Sequence, residues 1–211
     1  MRAAGMLMRN TMMAALLLAL PGAASATLLS SLEGTTLTVG PLSMDFTKVE
    51  IIGSLDPNQI DVSAVADAGG FGFDMTPVSS GALSVSNGAL ADVKLEFTVT
   101  STIGLVAAGN HLAATATGAS SSASVSELID EAPLIDLGVF VASFASLPDR
   151  VESFAAPLYT LTITKNLVLS ADEPGKAEVT GLAQRYLVPE PATAGLLLLG
   201  FSGLAYAGRR R

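Results

Sequence analysis

The stretch Asp92-Val93-Lys94-Leu95-Glu96-Phe97-Thr98-Val99-Thr100 decides the fold. Val93, Leu95, Phe97 and Val99 alternate with Lys94, Glu96, Thr98 and Thr100. Successive side chains of a strand point to opposite faces, so this pattern sets one face in a core and the other in water. A helix would scatter the same residues around its circumference, because its apolar positions recur every three or four residues. The segment is therefore expected to be a strand of a half-buried sheet, with Phe97 at its centre.

Outward from it, Leu158 to Thr164 repeats the alternation, with Leu161 and Ile163 set between threonines. Leu37 to Val39 and Met44 to Ile52 form an early pair around Gly40-Pro41. Gly70 to Met75, His111 to Thr117, Ala123 to Leu128, Ile135 to Phe144 and Ala177 to Tyr186 are further strand candidates. Turn residues separate them: Asp56-Pro57-Asn58, Asn87-Gly88, Ala108-Gly109-Asn110 and Glu173-Pro174-Gly175. Asn87-Gly88, after Leu83 to Val85, predicts a β-hairpin with the next strand. Thr27 to Glu33 is expected to hold one helical turn. Many short strands spaced by turns predict an all-β, single β-sandwich-like domain.

The two ends are of another kind. Arg2 and Arg9 precede an apolar run from Met12 to Leu20, which Pro21-Gly22 breaks. Ala24-Ser25-Ala26 follows as a small-x-small site, with Ala24 and Ala26 in the positions a signal peptidase reads. Residues 1–26 are thus expected to be a signal peptide, and Thr27 the start of an exported domain over 27–187. At the other end, Val188-Pro189-Glu190-Pro191 precedes an uncharged stretch of 17 residues, Ala192 to Gly208, and then Arg209-Arg210-Arg211. As a helix that stretch reaches about 25 Å, near the lower limit for crossing a bilayer. The terminal arginines form a cytoplasmic basic cluster by the positive-inside rule. Residues 188–211 therefore read as a transmembrane segment with the domain held outside.

That tail resembles the PEP-CTERM sorting domain in its Val-Pro-Glu-Pro motif, its short apolar helix and its terminal arginines. The resemblance implies recognition and cleavage near the motif by an exosortase, a membrane-embedded transpeptidase-like enzyme. It also implies an association with exopolysaccharide and biofilm systems. The logic is that of a GPI signal, where a hydrophobic tail is an address that is later removed. The body is similar, more loosely, to a group of PEP-CTERM proteins through Ser31-Leu32-Glu33-Gly34, Leu37-Thr38-Val39-Gly40 and Leu42. Met44 and Phe46 stand where those proteins carry two phenylalanines. Gly70-Phe71-Gly72-Phe73, Phe97-Thr98-Val99-Thr100 and Val125-Ser126-Glu127 extend the likeness, which implies a β-sandwich and no known activity.

Charge and composition narrow the chemistry. The whole chain carries a net charge of −8, and residues 27–187 hold 18 acids against 6 bases, a net −12. Such a surface repels phosphate backbones, which argues against nucleic acid as a partner. With no cysteine, disulfides and thiolate metal sites are impossible. His111 is the only histidine, which excludes a histidine metal cluster and leaves one base for any catalytic triad. No serine lies in a G-x-S-x-G elbow. Two carboxylate groups stand out, Asp130 with Glu131 and Asp136, and Asp67 with Asp74. The first lacks EF-hand spacing and reads as a solvated loop, with a weak Ca²⁺ site as its functional alternative. Gly69-Gly70-Phe71-Gly72 lacks phosphate-loop spacing and marks a bulge or strand entry. The chain has no tryptophan, and Tyr159 and Tyr186 are the body's only tyrosines, so no sugar-stacking platform is evident.

These readings converge on a non-enzymatic protein with no cofactor and no metal. It is expected to begin as a membrane-anchored precursor and to end at the cell surface or outside. Its expected partners are signal peptidase and exosortase as processing enzymes, the membrane, and surface polysaccharide. The alternative is a secreted polysaccharide-binding module or hydrolase that uses the same tail.

Overall fold

The computed structural model describes residues 26–130, 135–143 and 145–189. The proposed signal peptide up to Ser25, Glu131, Phe144 and the tail from Glu190 onward lie outside the described residues. Thirteen strands account for most of the rest. They are Ala26–Leu28 (β1), Thr36–Val39 (β2), Leu42–Ile52 (β3), Ile60–Asp67 (β4), Gly70–Pro77 (β5), Ser84–Ser86 (β6) and Leu90–Thr117 (β7). Ser122–Ile129 (β8), Ile135–Asp136 (β9), Val139–Ala142 (β10), Ser146–Leu147 (β11), Asp149–Ser170 (β12) and Lys176–Leu187 (β13) complete the set. The predicted helical turn is a short 3-10 turn, Leu29–Ser31, which buries Leu29. The chain is all-β among the described residues.

All pairings are antiparallel, and two long strands organise them. The first part of β7 pairs with β3 and with the second part of β12, from Thr160↔Thr100 to Ser170↔Leu90. The second part of β7 pairs with β13 and with the first part of β12, from Asp149↔His111 to Ser153↔Ala107. Between these two regions the register shifts at Ser153/Leu158 and again at Leu158/Thr160. Such irregularities bend strands, and they are where a strand crosses from one sheet to its neighbour. One hydrogen-bonded sheet thus folds over into two facing layers. The first runs β2-β3-β7-β12-β8-β10-β11, and the second runs β1-β4-β5-β13 and then the far halves of β7 and β12.

Three phenylalanines show that the layers meet. Phe46 on β3 stacks on Phe97 on β7 with ring centroids 5.0 Å apart, both within the first layer. Phe73 on β5, in the second layer, meets each of them edge-on at 5.6 Å. Edge-to-face contacts are a favoured geometry for aromatic quadrupoles. Val93, Leu95, Phe97 and Val99 are all buried, and Lys94 and Glu96 form an exposed ion pair at 2.8 Å, so the alternation read from Asp92 to Thr100 holds residue by residue.

Two turn expectations fail. Ala108-Gly109-Asn110 is no turn but lies inside β7, buried between β12 and β13. Asn87-Gly88 does reverse the chain, with φ of 54° and 78°, the left-handed values that this dipeptide tolerates. The hairpin is absent, however. β6 pairs with β13 rather than with β7, and the turn is tied down by Asn87 N–H donating to Gly175 O and Gly88 N–H to Asp172 O.

Candidate functional site: the last strand, its tail and a buried polar cluster

Strand β13 is central in its layer, flanked by β5 and β7. Its inward residues are Val179, Leu182, Gln184 and Tyr186, all buried. The strand ends at Leu187, paired with Ala107. Val188 still packs against the core, and Pro189 is exposed. The Val188-Pro189-Glu190-Pro191 motif therefore leaves the body directly from a core strand, with no linker between them. Of the other predicted processing residues, Ala26 opens β1 opposite Ser63, and Ala24, Glu190, Pro191 and Arg209 to Arg211 lie outside the described residues.

Arg185 points the other way from Gln184 and Tyr186 and gathers the carboxylates Asp67 and Asp74. Its Nη2 donates to Asp67 Oδ2 at 2.8 Å and its Nη1 to Asp74 Oδ1 at 2.7 Å. The guanidinium hydrogen bond, with further help from the Gly69 and Gly70 amides, holds the Asp67 carboxyl below the usual carboxylate range. The two aspartates are thus a clamp across β4, β5 and β13 and not a free acid–base pair. A depressed folded-state value means that the clamp stabilises above the carboxyl's unfolded value and is lost as pH falls through the folded one. Asp67→Asn is expected to lower the melting temperature at neutral pH and to melt like the wild type in acid. Parallel melting curves at every pH would show that the clamp contributes nothing.

His111 is exposed on β7, with Nδ1 2.5 Å from Asp149 Oδ1. No serine hydroxyl is bonded to it among the described residues. No group of three or more metal-ligating side chains occurs there either, and Glu131 of the acidic loop lies outside them. Tyr186 and Phe73 are core residues, and Tyr159 is exposed beside Pro157 at the bend of β12.

The interior holds an arrangement that the strand patterns did not announce. Lys165 on β12, Glu127 on β8, Asn110 on β7 and Gln184 on β13 are all buried at inward positions. Lys165 Nζ is ion-paired with Glu127 Oε2 and donates to Asn110 Oδ1 at 2.5 Å. Asn110 Nδ2 donates to Glu127 Oε2 at 3.1 Å and to Leu137 O at 2.9 Å. Gln184 Nε2 donates to the other carboxylate oxygen, Glu127 Oε1, at 3.2 Å. Burial pulls the Lys165 ammonium below the ordinary lysine value, and Glu127 acts against that pull. Burial, with the Glu127 charge, pushes the Tyr186 phenol well up, and its hydroxyl has no partner. A signal was present in the sequence: Lys165 is in phase with Leu161, Ile163, Leu167 and Leu169.

A family model for the PEP-CTERM protein-sorting motif matches residues 187–211. The chain carries a PEP-CTERM sorting domain. Such a motif marks an exported protein that an exosortase processes, and here it begins at the last residue of β13. No curated protein matches the chain. Among solved structures, the PEP-CTERM chain is similar to TmCBM61 in complex with β-1,4-galactotriose, at 10% identity and a TM-score of 0.31, covering 67% of this chain and 90% of that one. The enzymatically active domain of tailspike protein 4 of bacteriophage CBA120 matches at 11% identity and 0.31, covering 66% of this chain and 19% of that one. A carbohydrate-binding module from the β-sandwich superfamily matches at 11% and 0.29, over 71% and 58%. At these scores the likenesses assign no ligand.

Proposed function

We propose that this is a non-enzymatic surface or extracellular matrix protein, sorted and cleaved by an exosortase and acting with exopolysaccharide in a biofilm. The observation that carries the reading is the sorting motif at residues 187–211, joined without a spacer to a core strand. In this reading a signal peptidase removes residues 1–26 after Ala26. The apolar stretch from Ala192 to Gly208 then holds the body outside, with Arg209 to Arg211 inside. Pro189 and Pro191 fix φ and lack an N–H, which keeps the motif extended and clear of the membrane helix. An extended segment is what a protease-like site threads. Pro189 is already exposed where β13 ends, so cleavage needs no disruption of the sheet.

Mass spectrometry of the mature protein tests this in a host with the exosortase and in one without it. The tail is expected to be lost only in the first. Replacing Pro189, Glu190 and Pro191 together with alanine is expected to keep the tail in both hosts. A wild-type tail retained in both, with normal insertion, reduces residues 188–211 to an ordinary anchor and overturns the proposal.

A further inference from the structure

Four buried polar side chains form one hydrogen-bonded cluster in the interior, and their order is that of a reaction. Lys165 supplies an amine on the first layer, Asn110 a carboxamide on the second, and Glu127 a carboxylate that touches both. We propose that Lys165 and Asn110 form an intramolecular amide bond, with Glu127 as the proton-transfer catalyst, which staples the two layers together.

The geometry sets each role. Lys165 Nζ sits 2.5 Å from Asn110 Oδ1, so the carbon bonded to that oxygen is within reach of the amine. Asn110 Nδ2, the leaving nitrogen, is held by Glu127 Oε2 and by Leu137 O, which fixes the carboxamide plane. Gln184 Nε2 grips the second oxygen of Glu127 and orients the carboxylate between amine and amide. Lys165 and Glu127 are 1% and 0% exposed, so water does not compete for the amide carbon. An ammonium is no nucleophile, and burial acts to favour the neutral amine. Holding the reacting groups in contact replaces a bimolecular encounter, an advantage worth effective molarities on the order of 10⁵ M or more.

The step balances without an external reagent. Glu127 takes a proton from the Lys165 ammonium. The freed electron pair forms an Nζ–Cγ bond to Asn110. Glu127 passes the proton to Nδ2, the Cγ–Nδ2 bond breaks, and ammonia leaves. The surplus proton on Nζ departs with it as ammonium, and Glu127 returns to the carboxylate. Nothing is oxidised or reduced.

The chemistry fits an exported chain that has no cysteine and so no disulfide. Asn110 and Lys165 lie 55 residues apart in sequence, on different layers. A bond there would lock the bend at which β7 and β12 pass from one layer to the other.

Tryptic digestion of the purified, denatured full chain, followed by mass spectrometry, reads the bond directly. Acylated Lys165 resists trypsin, so peptide 95–150 is expected to appear joined to peptide 151–176, with the pair lighter by one ammonia. The variant E127Q, whose amide takes up no proton, is expected to give separate peptides 95–150, 151–165 and 166–176 while keeping a β-rich circular dichroism spectrum. K165R is expected to lack the joined species. Wild-type protein cleaved normally after Lys165, with no ammonia lost, shows a plain ion pair and overturns the proposal whatever the variants do. A pair lighter by water instead places the bond on Glu127 and overturns it equally.

Discussion

Replacing Phe97 with alanine is expected to remove about 3–5 kcal/mol of stability, the usual cost of emptying a packed aromatic site. Phe97 is 1% exposed and touches Phe46 and Phe73, so the lost ring leaves a hole where the two layers meet. Against a typical domain stability of about 5–15 kcal/mol, that is a large share. Lys94→Ala, on the opposite face of the same strand, removes one exposed ion pair with Glu96 and is expected to leave stability nearly unchanged. Urea unfolding of the two variants separates the faces. Equal losses would mean that the strand does not present one buried side.

Gly72→Ala is expected to be as damaging, for a different reason. A Cβ at Gly72 would lie 1.9 Å from Gln184 O and 2.8 Å from Gln184 C. Both are backbone atoms of the neighbouring strand β13, which has β7 on its other side and cannot yield. The added methyl group therefore pushes β5 away from β13 and strains the Arg185 clamp. The loss is expected in the extreme tail of single substitutions, on the order of 4 kcal/mol or more. Gly34→Ala makes a useful contrast. Nothing lies within 4 Å of the added carbon there, but φ is +76°, and the cost is expected near the roughly 1–2 kcal/mol of a left-handed non-glycine residue. Chemical denaturation that places Gly72→Ala at wild-type stability would contradict the β5–β13 spacing.

What the sequence made legible was local. Asp92 to Thr100 could be read because each apolar residue alternates with a polar one, and strand geometry leaves that pattern one meaning. Asn87-Gly88 could be read as a reversal, because its conformation is a property of those two residues. Its partner could not, since β6 finds its hydrogen bonds on β13, about ninety residues away. The same limit hid the shared strands: turn-forming residues at Ala108-Gly109-Asn110 argued for a break, but tertiary pairing on both sides carries β7 through them. The buried cluster was missed for another reason. Lys165 and Glu127 look like solvated charges one at a time, and only their phase with the apolar residues of their own strands marks them as interior. That phase is plain in Leu161, Ile163, Lys165, Leu167 and Leu169, and in Val125, Glu127 and Ile129. For the tail, the motif itself was readable, but its attachment to a central strand was not.

That attachment sets how the body bears load. A pull on the C-terminal end of the body enters at Val188 and runs along β13. From Leu182 to Tyr186 the strand is hydrogen-bonded to β5 on one side and to β7 on the other. Tension along its axis strains both ladders in shear, so many bonds share the force and must fail together. The opposite end is built otherwise. β1 is short and, among the described residues, pairs with β4 alone, so a pull at Thr27 would peel its bonds in turn. The body is mechanically polar: strong at the end that leads into the sorting motif, and weak at the end where β1 begins.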